Sequence, residues 1–456
     1  MKVFGSSGAR GVAGSELSVE FVLQIAQAAG TVWGADRAAV ATDTRQTSGM
    51  FADAAAAGLA SVGVDVDRIG VVPTPAVSQY CEANEVPAVL LTASHNPPEY
   101  NGVKLLGSDG IELSVDTLER IENHTLDKRF DTVGWEHVGS SRQVETANSE
   151  YINAAVEAVD REEIAAAELT VALDPGHGAG TFVSPEFFRA LGCEIVTVNA
   201  QPDGHFPGRL PEPVPEHLED LARLVVASNA DLGIAHDGDA DRSVFFDENG
   251  RFIDGEASLA ALAEQELSAG DTAVAAVNVS QRLVDVCERV GASLELTPIG
   301  ATHIITTIKR LWNEERNIPI AGEGNGGVFF PNYRLVRDGP YIGAQFLELI
   351  VDTPASEVVE PYQAYHNERI NLTYEREAER EAMLAAAADY ADRVDATVST
   401  LDGYRLDFGD AWVLVRPSGT EPKVRISAEA AEPSRALQLA GEMKQRLDDG
   451  RDASDR

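Results

Sequence analysis

The sequence has little cysteine, little lysine and no long apolar run. Its 456 residues include three cysteines, Cys81, Cys193 and Cys287, which lie far apart and form no CxxC pair. This spacing excludes a zinc knuckle and a disulfide framework, and it favours a reducing compartment. The N-terminus lacks an apolar signal core, and no stretch approaches the roughly 18 uninterrupted apolar residues of a membrane span. We therefore expect a cytoplasmic protein that does not enter a membrane.

The sequence also has few basic residues relative to acidic ones. Lysine and arginine total 36 against 74 aspartates and glutamates, which gives a net charge of −38, and six of the 36 are lysines. Such a surface repels nucleic acid and anionic lipid, so neither is expected as a partner. Simple solubility would explain the charge. We favour a halophilic interpretation, in which a cytosol at very high salt screens the repulsion over a few ångströms.

The order of apolar runs predicts the domain organisation. Short β-branched runs alternate with alanine-rich helical stretches, and this pattern restarts near Ser149 and again near Thr272. It predicts three similar α/β domains with largely parallel sheets, at residues 1–148, 149–252 and 253–362. Consecutive strands then predict a separate α+β domain at residues 363–456. The charged tail after Leu447 is expected to fray.

The first chemical motif is TASHNPP, residues 92–98, which follows an apolar run that reads as a buried strand. Loops at the carboxyl ends of parallel strands hold ligands in α/β sheets. This loop would present the hydroxyl of Ser94, with His95 beside it as an acid or base. A serine that only caps a turn is the structural alternative.

The second motif is DGDADR, residues 237–242. In an extended loop Asp237, Asp239 and Asp241 would face one side, and their carboxylates would suit Mg²⁺. An EF-hand also spaces acidic residues in this way, but its sixth position needs glycine and here is Arg242. The flanks also read as strands instead of helices. The sequence therefore predicts a magnesium site.

Two further loops are rich in glycine or in cations. GEGNGG, residues 322–327, matches a dinucleotide fingerprint, but a strand run follows it where that fingerprint requires a helix. Its Glu323 and Asn325 suit hydrogen bonding to sugar hydroxyls, unless the segment is only a hairpin. RPSGTEPKVR, residues 416–425, combines hydroxyls, free backbone N–H groups and three cations into a phosphate cradle. A turn paired with neighbouring acids is the alternative there.

In this order, the four motifs resemble those of the α-D-phosphohexomutase family, which includes phosphoglucosamine, phosphomannose and phosphoglucose mutases. The resemblance covers nearly the whole chain. It extends to four further signatures: FGSSGARG at residues 4–11, DTR at 43–45, PTP at 73–75 and YNGVK at 100–104. It implies four domains around a central cleft and an isomerase that moves a phosphoryl group between O6 and O1 of a hexose phosphate.

The resemblance also implies roles for single residues. Ser94 would carry the phosphoryl group, with a sugar 1,6-bisphosphate as primer, and would join Asp237, Asp239 and Asp241 around Mg²⁺. Glu323 and Asn325 would contact the sugar. Cations and loop residues that would bind the substrate in the same cleft are Arg10, Lys104, Arg242, Arg416, Ser418, Gly419, Thr420 and Arg425.

The acid or base of the reaction has several candidates. Lys104 is the first, on the expectation that burial and nearby cations lower its pKa. His95 and Arg10 are supporting candidates. His303 is a further candidate, and it is otherwise a substrate contact or a structural loop histidine.

The sequence of the glycine-rich loop, residues 322–327, leaves the identity of the sugar substrate open. Serine and histidine commonly stand in the family where this chain has Asn325 and Gly327. The sequence looks closest to archaeal members described as phosphoglucosamine mutases or as mutases of mixed phosphomannomutase and phosphoglucomutase specificity. A metal-dependent sugar phosphatase and a non-catalytic sugar-phosphate sensor are the rival functions.

Overall fold

The computed structural model describes residues 4–5, 8–418 and 422–453. By their contacts, these residues form two units. The first comprises the described residues up to Gln265 together with Pro319–Val359, and the second comprises Glu266–Ile318 together with the described residues from Glu360 onward. No helix in these described ranges combines the length and the apolar character that a membrane span requires.

The first unit begins with a six-stranded sheet in the order β1-β5-β4-β2-β3-β6. Strands β2, β3, β4 and β6 are parallel, whereas β5 is antiparallel to β1 and β4. Ser18 caps the first helix through its side chain, and Gly34 ends it in a left-handed conformation. The elements are β1 (Ala9–Val12), α1 (Val19–Trp33), β2 (Arg37–Thr42), α2 (Ser48–Ser61), β3 (Asp65–Val71), α3 (Thr74–Asn84), β4 (Ala88–Leu91), β5 (Tyr100–Leu106), α4 (Val115–Leu126), β6 (Ser141–Gln143) and α5 (Ala147–Glu157).

A five-stranded sheet in the order β11-β10-β9-β7-β8 follows in the same unit. Its centre is parallel, because β7 pairs with β8 and β9, and its far edge is antiparallel. The elements are α6 (Arg161–Ala166), β7 (Thr170–Asp174), α7 (Ser184–Ala190), β8 (Glu194–Thr197), α8 (Glu219–Ser228), β9 (Leu232–Ala235), β10 (Val244–Phe246), β11 (Phe252–Ile253) and α9 (Gly255–Glu266).

The third α/β region contributes to both units. Its parallel pair belongs to the second unit, with β12 (Thr272–Ala276), α10 (Gln281–Val290), β13 (Ser293–Thr297) and α11 (Ala301–Asn313). Its antiparallel strands belong to the first, with β14 (Ala321–Glu323), β15 (Gly327–Phe330), β16 (Arg334–Arg337), α12 (Gly339–Leu349) and α13 (Ala355–Val359). Here a parallel core again gives way to antiparallel strands.

The last region is an antiparallel sheet in the order β17-β21-β20-β19-β18, covered by two helices. Its elements are β17 (His366–Thr373), α14 (Glu377–Ala391), β18 (Thr397–Ser399), β19 (Tyr404–Asp407), β20 (Ala411–Pro417), β21 (Lys423–Ala430) and α15 (Pro433–Ala453). The predicted class, three α/β regions and a C-terminal α+β region, is confirmed.

The C-terminal tail corrects the sequence prediction. Residues after Leu447 continue α15 to Ala453 instead of fraying. Leu447 is fully buried, and Asp448 accepts from Lys444 one turn earlier at 2.6 Å. Gly450 lies against α14, where a Cβ would come within 2.8 Å of Ala386. Packing and i,i+4 ion pairs therefore extend a helix that its charges alone would not support.

Candidate active site

Ser94 lies in the loop after β4 and is fully buried. Its φ is +50°, a left-handed conformation that is uncommon outside glycine. Its Oγ donates to Asp237 Oδ2 at 2.6 Å, and its backbone N–H donates to Thr92 Oγ1 at 3.0 Å. The loop thus points a hydroxyl at the acidic motif of the next sheet, which a serine that only caps a turn would not do.

A single buried guanidinium supports this loop. Arg45 pairs with Asp43, the residue after β2, at 3.0 Å. Its Nη atoms donate to four carbonyl oxygens, those of Ser94 (2.9 Å), Asn96 (2.6 Å), Pro97 (2.5 Å) and Tyr100 (3.0 Å). Because a guanidinium is planar and rigid, these bonds fix the backbone around Ser94.

The loop after β9 brings three carboxylates together. Oxygens of Asp237, Asp239 and Asp241 lie within 4.8 Å of one another, a grouping that can hold a metal ion. The loop is not extended, contrary to the expectation from the sequence. Ala240 has a φ of +51°, and its N–H donates to the Asp237 carbonyl at 3.2 Å, so a tight turn makes the carboxylates converge.

These carboxylates fit a small divalent cation. Burial, with the charges of Asp239 and Asp241, raises the pKa of Asp237. Among the described residues, Asp239 Oδ1 and Asp241 Oδ1 are buried without a hydrogen-bond partner. Hard oxygen ligands and concentrated negative charge are what Mg²⁺ prefers. The strands that flank the loop exclude the helices of an EF-hand.

Lys104 lies on β5 and is almost fully buried among acids. Its Nζ is 3.2 Å from Glu112 Oε1, 3.3 Å from Asp241 Oδ2 and 3.7 Å from Asp239 Oδ2. Burial alone would lower the pKa of Lys104, but these carboxylates outweigh it and raise that pKa above its ordinary value. The expectation that nearby cations lower it is wrong, because the closest charges are negative.

His95 lies between the serine and the cations. Its Nδ1 is 3.4 Å from Ser94 Oγ and 3.2 Å from an Nη atom of Arg242. Arginine only donates, so this Nδ1 accepts and the ring proton belongs on Nε2. The charge of Arg242, together with burial, lowers the pKa of His95 to about 2. Arg10 completes this edge by donating to Asn96 Oδ1 at 2.9 Å.

The glycine-rich loop is a hairpin between β14 and β15, not the start of a helix. Glu323 is buried and accepts from Asn325 Nδ2 at 3.3 Å. The loop contacts the aspartate motif's segment, since Ser243 N–H donates to the Gly326 carbonyl at 3.0 Å. Glu323 and Asn325 therefore belong to the same unit as Ser94 and the aspartates.

Sequence reasoning missed three residues of this cluster. Arg337, at the end of β16, has an Nη atom 2.5 Å from Asp241 Oδ2. Glu112 forms an ion pair with Lys104 at 3.2 Å, and Thr74 Oγ1 donates to Asp239 Oδ2 at 2.7 Å. Thr74 lies in the PTP signature at residues 73–75, but the sequence alone assigns it no role. Neither Arg337 nor Glu112 lies in a motif with a recognisable spacing.

The remaining predicted site residues belong to the second unit. His303 lies in the first turn of α11. Arg416 and Arg425 oppose each other across β20 and β21, and Arg416 pairs with Asp402 at 3.5 Å. The Ser418 N–H donates to the Lys423 carbonyl at 2.8 Å. Gly419 and Thr420 lie outside the described residues.

Comparison with known proteins finds four consecutive matches to one family along the chain. The description "Phosphoglucomutase/phosphomannomutase, alpha/beta/alpha domain I" matches residues 1–132, domain II matches 149–250, domain III matches 254–365, and the C-terminal domain matches 370–446. A protein of Thermococcus kodakarensis named "Phosphoglucomutase/phosphomannomutase" is 39% identical over 95% of this chain and 96% of its own.

Two further relatives agree with this match. A Methanopyrus kandleri protein named "Probable phosphoglucosamine mutase" is 38% identical over 97% of this chain and 96% of its own. A crystal structure of a phosphoglucomutase/phosphomannomutase family protein from Burkholderia thailandensis superposes with a TM-score of 0.86 at 27% identity, covering 98% of this chain and 97% of that one.

Proposed function

Because this chain belongs to the phosphoglucomutase/phosphomannomutase family, we propose that it is a phosphohexomutase that moves a phosphoryl group between O6 and O1 of a hexose phosphate. Ser94 is the residue that carries the group between the two positions. The observation that carries the proposal is the 2.6 Å hydrogen bond from Ser94 Oγ to Asp237, within a group of three carboxylates. A binding protein would need neither this hydroxyl nor this charge.

The three aspartates hold Mg²⁺ in this proposal. When bound, the ion neutralises charge on the transferring phosphoryl oxygens, which is the main requirement of phosphoryl transfer. The two unpartnered oxygens, Asp239 Oδ1 and Asp241 Oδ1, support this assignment within the described part of the chain. Arg242 adds a permanent cation, with its Nε 4.0 Å from Asp237 and 3.9 Å from Asp241.

The reaction has two transfers through Ser94. In the first, the P–O bond to phosphorylated Ser94 breaks and a bond forms to the free sugar hydroxyl, which loses its proton. Ser94 Oγ gains one proton as the sugar hydroxyl gives one up, so the transfer balances. The regenerated Ser94 hydroxyl then donates its hydrogen bond to Asp237 Oδ2. The sugar 1,6-bisphosphate then turns and returns its other phosphoryl group to Ser94. A free bisphosphate is the primer that first loads the enzyme.

We assign the conversion of glucosamine-6-phosphate to glucosamine-1-phosphate as the main reaction. The name of the Methanopyrus relative supports this choice, while that of the Thermococcus relative supports mixed glucose and mannose specificity as the alternative. Glu323 and Asn325 offer oxygen acceptors for the sugar hydroxyls. Arg416, Ser418 and Arg425 of the second unit are the proposed phosphate-binding residues, together with Gly419 and Thr420, which lie outside the described residues. Comparing kcat/KM for glucosamine-6-phosphate, mannose-1-phosphate and glucose-1-phosphate with Mg²⁺ decides between the two specificities.

Loading the protein with labelled phosphate on Ser94 separates the proposal from its rivals. A mutase transfers the label to sugar bisphosphate, whereas a phosphatase releases it as inorganic phosphate and a sensor keeps it. Ser94→Ala should abolish turnover even with a bisphosphate primer. Retained turnover in that variant would contradict the role of Ser94.

The net charge of −38 supports a second proposal, that the protein works in a cytosol of very high salt. Self-repulsion on this scale is tolerable where the Debye length is a few ångströms. We expect the free energy of unfolding to rise from low salt to molar KCl. Equal stability and activity at both salt concentrations would contradict the halophilic interpretation.

A further inference from the structure

The two carboxylate oxygens of Asp241 have different surroundings. Oδ2 accepts from Arg337 at 2.5 Å and from Lys104 Nζ at 3.3 Å. Oδ1 has no hydrogen-bond partner among the described residues, although Arg242 Nε lies 3.9 Å away. One oxygen is thus held by two cations while the other is left for a ligand.

Arg337 reaches Asp241 by passing Gly327, which has no side chain to obstruct it. A Cβ at Gly327 would lie 2.9 Å from Arg337 Cδ and 3.3 Å from its Nη1. The φ of Gly327 is outside the left-handed region, so the backbone there would accept alanine. Its lack of a Cβ therefore leaves room for the Arg337 side chain, which is 5% exposed, and for Asn325 Oδ1, which a Cβ would approach to 3.0 Å.

Building on the proposed function, we propose that Arg337, admitted by Gly327, makes the site selective for Mg²⁺ over Ca²⁺. By holding Oδ2, Arg337 confines Asp241 to one ligand oxygen. Mg²⁺ requires a near-octahedral set of oxygens at about 2.1 Å and takes carboxylates by one oxygen, whereas Ca²⁺ takes six to eight oxygens and accepts both oxygens of a carboxylate. A carboxylate with one oxygen withheld penalises Ca²⁺ more than Mg²⁺.

Loss of Arg337 has two separable effects. The lost positive charge strengthens the binding of both divalent cations, because the same repulsion is removed for each. Oδ2 also loses its shorter contact and keeps only that to Lys104 Nζ at 3.3 Å. It thereby becomes accessible as a second ligand oxygen, which Ca²⁺ uses and Mg²⁺ does not. The ratio of the two dissociation constants therefore isolates the second effect, and a merely structural role of Arg337 would leave that ratio unchanged.

The test is direct calorimetric titration of Mg²⁺ and of Ca²⁺ into the chelator-treated full chain. For Arg337→Ala we expect Kd for Ca²⁺ divided by Kd for Mg²⁺ to fall about tenfold, which corresponds to about 1.4 kcal/mol. Arg337→Lys keeps a cation at Oδ2 and should restore most of the ratio. Arg334→Met is the matched control, because it removes another arginine of β16 that pairs with Glu82 at 3.1 Å, away from Asp241. It should leave the ratio unchanged.

Gly327→Ala tests the same idea without removing the charge. The new Cβ should displace Arg337 and lower the ratio in the wild-type background, but it should have no further effect in Arg337→Ala. If Arg337→Ala does not fold, Gly327→Ala decides. An unchanged ratio in a folded variant that lacks or displaces Arg337 overturns the proposal. Wild-type protein that binds neither cation contradicts the proposed function instead.

Discussion

The serine loop, residues 92–99, and the aspartate loop, residues 236–243, are each anchored by a buried ion pair, but the two arginines of these pairs make different contacts. Each follows a buried strand, β4 or β9, and each lies beside an aspartate at the end of the adjacent parallel strand. Asp43 pairs with Arg45 at 3.0 Å, and Asp174 pairs with Arg209 at 3.0 Å. Both ion pairs are buried. In each of the first two α/β regions, a buried arginine–aspartate ion pair therefore supports the loop that carries the proposed catalytic or metal-binding residues.

The difference lies in what each arginine reaches. Arg45 donates to three carbonyls of the serine loop and to that of Tyr100, the first residue of β5. Arg209 donates to one carbonyl at the start of the aspartate loop, that of His236 at 2.6 Å. Its other hydrogen bonds go to Asp174 and to the carbonyls of Leu210 and Pro211. Three further carbonyls of the aspartate loop, those of Gly238, Asp239 and Ala240, accept from the backbone N–H groups of Ala179, Thr74 and Gly339. The carboxylates of the loop are held in addition by side chains, those of Lys104 and Thr74. The serine loop thus depends on one arginine for several of its backbone contacts, whereas the contacts of the aspartate loop come from several separate segments.

Replacement of Arg45 by methionine should have the largest effect. Breaking a buried ion pair from one side costs about 3–5 kcal/mol, because the remaining charge stays buried. The serine loop also loses three hydrogen bonds and the start of β5 loses one. Misplacing a reacting group by about 1 Å costs on the order of 100-fold in rate. Urea unfolding and single-turnover transfer from phosphorylated protein measure the two losses.

Arg68→Met is the control for this prediction. Arg68 pairs with Asp53 at 2.6 Å in the same region, but the Asp53 side chain is 73% exposed. Its loss should change the free energy of unfolding by less than about 1 kcal/mol. Arg45→Lys should recover stability better than rate, since an ammonium cannot serve four carbonyls in a plane. Wild-type transfer by Arg45→Met would show that the loop holds itself.

Arg209→Met should affect stability nearly as strongly but rate much less. Asp174 would keep donors from Gly176 N–H and Asn199 Nδ2, so we expect a loss of about 3 kcal/mol. One carbonyl contact at the aspartate loop corresponds to about tenfold in kcat. Arg223→Met, whose partners on α8 are exposed, is the control. An equal loss of rate in the Arg45 and Arg209 variants would remove the distinction between the loops.

How far the sequence predicts this site depends on sequence distance. The convergence of three aspartates within the five residues 237–241 is local, and the sequence predicts it even though it does not predict the conformation of the loop. Arg337 lies 96 residues from Asp241, and the acids that raise the pKa of Lys104 include one 137 residues away. The alternation of strand and helix patterns predicts that the loops meet at one edge of a sheet. Which side chains of different loops pair with each other depends on packing that no local pattern encodes.

Addition of Mg²⁺ should stabilise the protein through the aspartate loop alone. A ligand at one hundred times its Kd raises the free energy of unfolding by about 2.7 kcal/mol. We expect this increase in thermal melts of wild-type protein and its loss on adding a chelator. Asp239→Asn removes one charge and should abolish the increase at the same concentration of Mg²⁺. Undiminished stabilisation of that variant would place the cation elsewhere.

Thr74→Val should have the smallest effect, and it tests whether side-chain partners fix the aspartate loop. Thr74 Oγ1 donates to Asp239 Oδ2 at 2.7 Å, and valine has nearly the same shape without the hydroxyl. Partners that orient a ligand carboxylate contribute on the order of tenfold to metal affinity. We therefore expect about a tenfold higher Kd for Mg²⁺ with little change in folding. Ser78→Ala removes a buried 2.7 Å hydrogen bond from the same helix to the Gly110 carbonyl. If that control weakens Mg²⁺ binding equally, the effect belongs to the packing of α3 and not to the contact with Asp239.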